Sequence, residues 1–246
     1  MSRTMLNEVI SVFSKTEENL PQRNETKMFI LIRSDIEIKA SDLVPALSES
    51  CRNWFLKCFQ TEETMEKLNY YLNVQPSYPK ICKRFKEKHI NKLEKSLPIQ
   101  EEAGFPYSPV IIGEDTVGYI IGPAKREDLL KDIDALQLMT DCDVILDETN
   151  RDEITDGNVI AFRGDIEIPA GKLIPQFCHA IQKLHSLMTE EELQVPHTTS
   201  VVRLGLDEIM ATGHYITDAG RTYFNKPTVT TTFLKAEDLV KNNFKI

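Results

Sequence analysis

The segment Arg33-Ser34-Asp35-Ile36-Glu37-Ile38 recurs 130 residues later as Arg163-Gly164-Asp165-Ile166-Glu167-Ile168, and the correspondence continues to Leu43-Val44-Pro45 against Leu173-Ile174-Pro175. From the arginine to the proline, eight of thirteen positions are identical without a gap. Identity across so many residue types at one spacing marks a repeated unit rather than shared strand propensity. A chain of 246 residues accommodates two domains of about 120 residues, each large enough to bury a core. The repeat therefore sets the expected organisation: an N-terminal tail or helix over 1–26, a first domain over 27–136, an acidic linker over 137–156 and a second domain over 157–246.

The two copies have diverged unevenly. Where the second reads Gly171-Lys172 the first reads Ser41-Asp42, and where the second has Gln176 and His179 the first has Ala46 and Glu49. Chemistry is expected in the second copy, with the first as scaffold. Arg33-Asp35 and Arg163-Asp165 survive in both, including the copy without Gly-Lys, so they are expected to hold the fold or the domain interface.

Composition narrows the class. No apolar run approaches the ~18 residues of a membrane span, and the N-terminus lacks the continuous apolar core of a signal peptide. Five scattered cysteines (Cys51, Cys58, Cys82, Cys142, Cys178) show no zinc or redox spacing. A reduced, cytoplasmic setting is expected, with no metal and no cofactor. The net charge of -9 divides into -1 for residues 1–130 and -8 for residues 131–246. There is no basic stripe of the kind that grips nucleic acid through many phosphates, although a locally positive pocket is compatible with this balance.

Apolar runs at 27–33 and 158–163 read as strands buried on both faces, each opening its domain. Helical spacing follows over 40–59 and 170–187, through Leu43, Leu47, Trp54 and Phe55 and through Leu173, Phe177, Ile181 and Leu184. Second strands are expected at 80–84 and 200–205, then helices at 89–97 and 206–211. Third strands are expected at 97–100 and 215–217, last strands at 117–121 and 229–233, and last helices at 126–136 and 236–242. A helical insertion near 64–73 lengthens the first copy. The order βαβαββα implies a mixed, four-stranded sheet with helices on its faces in each copy, an α/β class.

At Arg163-Gly-Asp165-Ile-Glu-Ile-Pro-Ala-Gly171-Lys172-Leu-Ile-Pro-Gln176-Phe-Cys-His179-Ala180 the second copy resembles the type 2 peptidyl-tRNA hydrolases. Their pattern has an Arg-x-Asp strand end, a Gly-Lys helix start and a Gln followed by His-Ala. Asp218-Ala219-Gly220-Arg221-Thr222 is similar to the second signature of that family, and a threonine-rich strand follows it. The two motifs together span nearly all of 157–246. The resemblance implies a tandem duplication with a degenerate first copy, the halves related by a pseudo-two-fold axis and imitating the family's homodimer in one chain. It also implies a metal-independent hydrolase that cleaves the ester between peptide and tRNA. Lys172, Asp218 and Thr222 would be catalytic, with Gly171, Gln176, His179, Gly220 and Arg221 lining the cleft. Departures from the pattern are Pro175 before the glutamine and Phe224-Asn225-Lys226 after the turn; in the first copy Glu102-Ala103-Gly104 is the only trace of the second motif.

A glycine at the helix start is expected to turn the backbone sharply and leave amide donors exposed, and Lys172 adds a full positive charge, a combination suited to an anion or oxyanion. Asp218 is expected to orient Lys172 or position a water, and also to cap its own turn. His179, a lone helical histidine, is assigned a supporting role. The alternative function is a non-catalytic module that sequesters a nucleotide or other small phosphorylated ligand on the same residues. A third is an interaction protein of the translation machinery, for which Lys172 and Asp218 would be dispensable.

Overall fold

The computed structural model describes residues 26–74, 80–139, 144–220 and 223–241. Cys142, Arg221, Thr222 and all of the expected N-terminal tail except Thr26 lie outside the described residues. In chain order, β1 (Lys27–Arg33) and the short β2 (Ile38–Lys39) lead into α1 (Ala40–Cys58), α2 (Glu62–Asn69) and a π-helical turn at Tyr70–Val74. There follow β3 (Lys80–Phe85), α3 (Ile90–Glu102), β4 (Tyr107–Ile112), β5 (Asp115–Ala124), the single-turn α4 (Lys131–Asp134) and β6 (Gln137–Leu138). The remainder runs β7 (Val144–Ile145), β8 (Asn158–Arg163), α5 (Ala170–Ser186), α6 (Glu190–Gln194), β9 (Thr199–Leu204), α7 (Leu206–Ala211), β10 (Ile216–Asp218), β11 (Thr228–Lys235) and α8 (Ala236–Lys241). Among the described residues no helix is long and apolar enough to cross a membrane.

The chain packs as two units, and neither is one uninterrupted copy of the repeat. The first gathers the described parts of Met1–Asp35, Ser50–Met139 and His185–Gln194; the second gathers those of Ile36–Glu49, Thr140–Leu184 and Val195–Ile246. The sheet of the first unit has the order β4-β5-β1-β3-β6 and that of the second β10-β11-β8-β9. In each, the first strand of the copy is central, parallel to its second strand and antiparallel to its last. Corresponding strands occupy corresponding places: Arg33 ends β1 opposite Phe85, and Arg163 ends β8 opposite Leu204. Both folds are mixed α/β.

Central strands form where apolar residues are continuous, since both faces are covered. Met28 to Ile32 and Val159 to Ala161 are fully buried. In the first unit Phe29 and Leu31 meet Leu93 and Leu97 of α3 and Ile133 of α4. Val159 and Ala161 in the second meet Val202, Ile209 and Leu239. Burying such a Leu or Ile side chain is worth roughly 1.5–3 kcal/mol, so these layers dominate stability. Trp54 donates its indole N–H to the carbonyl of Gly122 at 2.6 Å, satisfying a polar atom in a fully buried ring.

Four expectations are corrected. Residues 97–100 continue helix α3 rather than forming a strand, because Leu93, Ser96, Leu97 and Gln100 are buried at helical spacing while Ile99 faces out; the third strand of this copy is β4. Residues 126–136 do not form one helix: the Asp128 carboxylate accepts from the Lys125 amide and closes a 3-10 turn, and Leu129 becomes extended before α4 restarts. The first sheet has five strands instead of four, because β6 pairs with the edge of β3. Gly104 (φ 81) ends α3 as Gly213 (φ 73) follows α7, so Ala103-Gly104 precedes its strand and is no counterpart of Ala219-Gly220, which follows β10.

Part of the acidic linker is built into the second unit instead of being a solvated connector. Residues of β7 pair in parallel with β2. Thr149 donates its amide to Val201 and accepts the Val201 amide on its hydroxyl, while Glu148 accepts the Arg203 amide. These bonds occupy the edge of β9, which β6 covers by strand pairing at the corresponding edge of β3.

Candidate functional site

Lys172 lies in the first turn of α5 and Asp218 is the last residue of β10. Their side chains meet with Lys172 Nζ 2.5 Å from Asp218 Oδ2; the lysine side chain is 22% exposed and the aspartate 7%. Gln176, one turn beyond Lys172 on the same helix face, donates from Nε2 to the same carboxylate oxygen at 3.0 Å. Its Oε1 accepts from the Thr230 hydroxyl at 3.0 Å, and this fixes which way round the amide sits. The Thr231 hydroxyl donates to the backbone carbonyl of Gln176 at 3.2 Å. Strand β11 thus holds the helix residue that holds the carboxylate.

The other oxygen of Asp218 accepts from the Gly220 amide at 2.9 Å, so the aspartate caps its own turn while it pairs with Lys172. Both expected roles of Asp218 coexist. Gly220 has φ +75, and a Cβ there would lie 2.3 Å from the backbone carbon of Lys226, so this turn closes only with glycine. Among the described residues, three donors reach a carboxylate that has four lone-pair sites. Asp218 is therefore an anchor, and the more exposed side of the pair belongs to Lys172.

Gly171 behaves differently from expectation. It is buried within α5 and is not among the glycines with positive φ, so it makes no sharp turn. The amides of Lys172 and Leu173 are also occupied, donating to the Pro169 carbonyl at 2.8 and 2.9 Å. The amides left ahead of the first helical bond are those of Ala170 and Gly171. Pro175, lacking an N–H, leaves the Gly171 carbonyl outside the helical ladder.

At the corresponding start of α1, Ser41 donates its amide and its hydroxyl to Asp147 at 2.8 and 2.7 Å. A carboxylate of the chain itself thus occupies the start of the first-copy helix, beside Asp42 instead of a lysine. The start of α5 carries Lys172, and among the described residues no carboxylate bonds to Gly171 in this way. A helix N-terminus favours negative charge, and at the first-copy helix Asp147 supplies it.

Of the residues singled out from sequence, the structure brings together Lys172, Gln176, Asp218 and Gly220, with Gly171 adjacent in the chain. His179 lies on α5 one turn past Gln176, half-buried. Arg221 and Thr222 are outside the described residues. The Arg-x-Asp pairs take the same form in both copies: Arg163 grips Asp165 with two bonds, 2.6 and 2.5 Å, and Arg33 bonds Asp35 at 3.2 Å. The Arg163 bond holds the Asp165 carboxyl below the usual aspartate range. Burial works to raise Asp35, but the Glu87 amide and Arg33 bring it lower. Sequence reasoning missed Thr230; the signal was three successive fully buried threonines, Thr230 to Thr232, whose hydroxyls need partners.

Elsewhere in this unit His214 stacks on Phe233 with centroids 4.9 Å apart and planes at 15°. Burial, reinforced by nearby Lys183, holds this imidazole below the ordinary histidine pKa. Compared with known proteins, the chain matches no family model and no curated sequence.

Proposed function

We propose that the second copy is a metal-independent ester hydrolase of the type 2 peptidyl-tRNA hydrolase kind, working in the cytoplasm on the ester between a peptide and tRNA. The observation that carries the reading is the Lys172–Asp218 pair, 2.5 Å apart and braced by Gln176 and the Gly220 turn. It joins residues from the two motifs that resemble that family. In this reading a water oxygen attacks the ester carbonyl carbon, and the oxyanion that forms is stabilised by the Lys172 ammonium beside the start of α5. The Asp218 carboxylate orients the water. Collapse breaks the bond to the terminal ribose oxygen, which receives the proton released by the water.

A second reading is sequestration of a small phosphorylated ligand at the same Lys172. It is favoured by the nearly saturated hydrogen bonding of Asp218, which suits an anchor better than a base. Release of peptide from peptidyl-tRNA by the purified full chain separates the two. The hydrolase reading expects turnover that Lys172→Ala abolishes. Absence of any release at high enzyme concentration, with a nucleotide retained through gel filtration, would refute it in favour of sequestration.

A further inference from the structure

The first unit contains a cavity of about 430 Å³ at the carboxyl ends of the parallel strands β1 and β3, lined among others by Ser34, Arg84, Lys86, Lys88, His89 and Gln137. In open α/β sheets this end of parallel strands is where ligands bind. The wall carries three permanent cations and no carboxylate. Arg84 spends two of its N–H groups on the neutral Gln137 Oε1, at 3.1 and 2.7 Å. Among the described residues, none of Arg84, Lys86 and Lys88 has a carboxylate within 4.0 Å. The neighbouring acids Asp35 and Glu87 are drawn to Arg33 instead, at 3.2 and 3.8 Å. His89 accepts the Lys86 amide on Nδ1 at 2.9 Å, which leaves Nε2–H as a donor.

The second copy provides an internal control. There the same turn is closed by Glu208, which accepts the Gly205 amide at 2.7 Å as His89 accepts that of Lys86. Lys86, Lys88 and His89 thus correspond to Gly205, Asp207 and Glu208. One backbone turn is basic in one copy and acidic in the other, so the fold does not require the cations. Clustering like charge around a concavity costs stability unless a counter-charge enters.

We propose that this cavity binds a small phosphorylated metabolite of sugar-phosphate size, its phosphate held by Arg84, Lys86 and Lys88. The volume falls in the range of small-molecule sites, and the partly apolar floor of Phe85 and Leu136 suits the body of such a ligand. Nucleic acid is the poorer fit, because its affinity is built from many phosphate contacts along a surface, whereas here the cations converge on one cavity in a chain of net charge -9.

The test is calorimetric titration of the full chain with ribose 5-phosphate and with inorganic pyrophosphate at low ionic strength. Saturable binding is expected, weakened about tenfold or more in K86E/K88E because at least one charge-assisted bond is lost. Binding should be regained in K86R/K88R and unaffected by K172A. Should K86E/K88E melt early, the single K88Q gives the same readout with less charge change. No saturable binding of either probe would overturn the proposal, as would equal binding by the charge-reversed variant or loss of binding in K172A. Tight binding of a short RNA that neither probe displaces would overturn it in favour of a nucleic-acid surface.

Discussion

Asp218→Asn tests the site most directly, because its effect follows from counting donors. In the native protein Lys172 and Gln176 both direct N–H groups at one carboxylate oxygen and Gly220 directs its amide at the other. Asparagine has one oxygen and one NH2, so whichever way it turns, a donor faces a donor. A hydrogen bond to a charged group contributes about 1.5–3 kcal/mol. Lys172 is 22% exposed, so water recovers part of the loss and the lower end applies. With about 1.5 kcal/mol lost and roughly 2–4 °C per kcal/mol for a chain of this size, Asp218→Asn should lower Tm by about 3–6 °C. Lys172→Met should also destabilise, and the double variant should fall short of the sum by more than about 0.5 kcal/mol, since the partners share one interaction. Urea unfolding of the four proteins measures this coupling. In the hydrolysis assay Asp218→Asn should cost about 10²–10⁴-fold in turnover. An unchanged Tm, or additivity within about 0.3 kcal/mol, would show that the pair contributes nothing and would refute the reasoning.

Three further outcomes follow from other parts of the structure. Gly220→Ala should destabilise by more than about 1 kcal/mol, since it adds left-handed strain to a clash with the Lys226 backbone, and thermal melting will show it. Asp147→Ala should cost about 1 kcal/mol by stripping both Ser41 bonds from the start of α1, read by urea unfolding, and should leave the Lys172 site unchanged. Because the folded state depresses the His214 pKa, the resulting stability is present above the unfolded histidine value and is lost as pH falls through the folded one. Tm should therefore decline between roughly pH 7 and 5, and less steeply in His214→Gln.

The buried strands and long helices were legible in the sequence because their signal is local: Met28 to Ile32 is a continuous apolar run, and Leu173, Phe177, Ile181 and Leu184 keep a helical period. The Lys172 and Asp218 positions were legible through motif spacing. What was not legible depends on partners distant in sequence. Residues 97–100 have strand-like composition, yet Gln100 is fixed in the helix by bonds to Asp128 and Leu130. Thr230 gains its role from an amide 54 residues away. The basic cavity joins charges from the end of β3 to Gln137, and no local pattern shows that they share a concavity.

The binding of Asp147, Glu148, Thr149 and the β2 strand into the second unit sets the packed unit apart from the sequence repeat. The sequence repeat restarts after the linker, but the backbone bonds do not respect that boundary. A fragment beginning at residue 157 would carry Lys172, Gln176, Asp218, Gly220 and Thr230 and still present β9 with an edge stripped of its Thr149 and Glu148 partners. Anyone expressing the second copy alone would thus meet a sticky strand before testing any chemistry, and starting upstream of Val144 restores the β9 edge while the β2 partner of β7 lies earlier still.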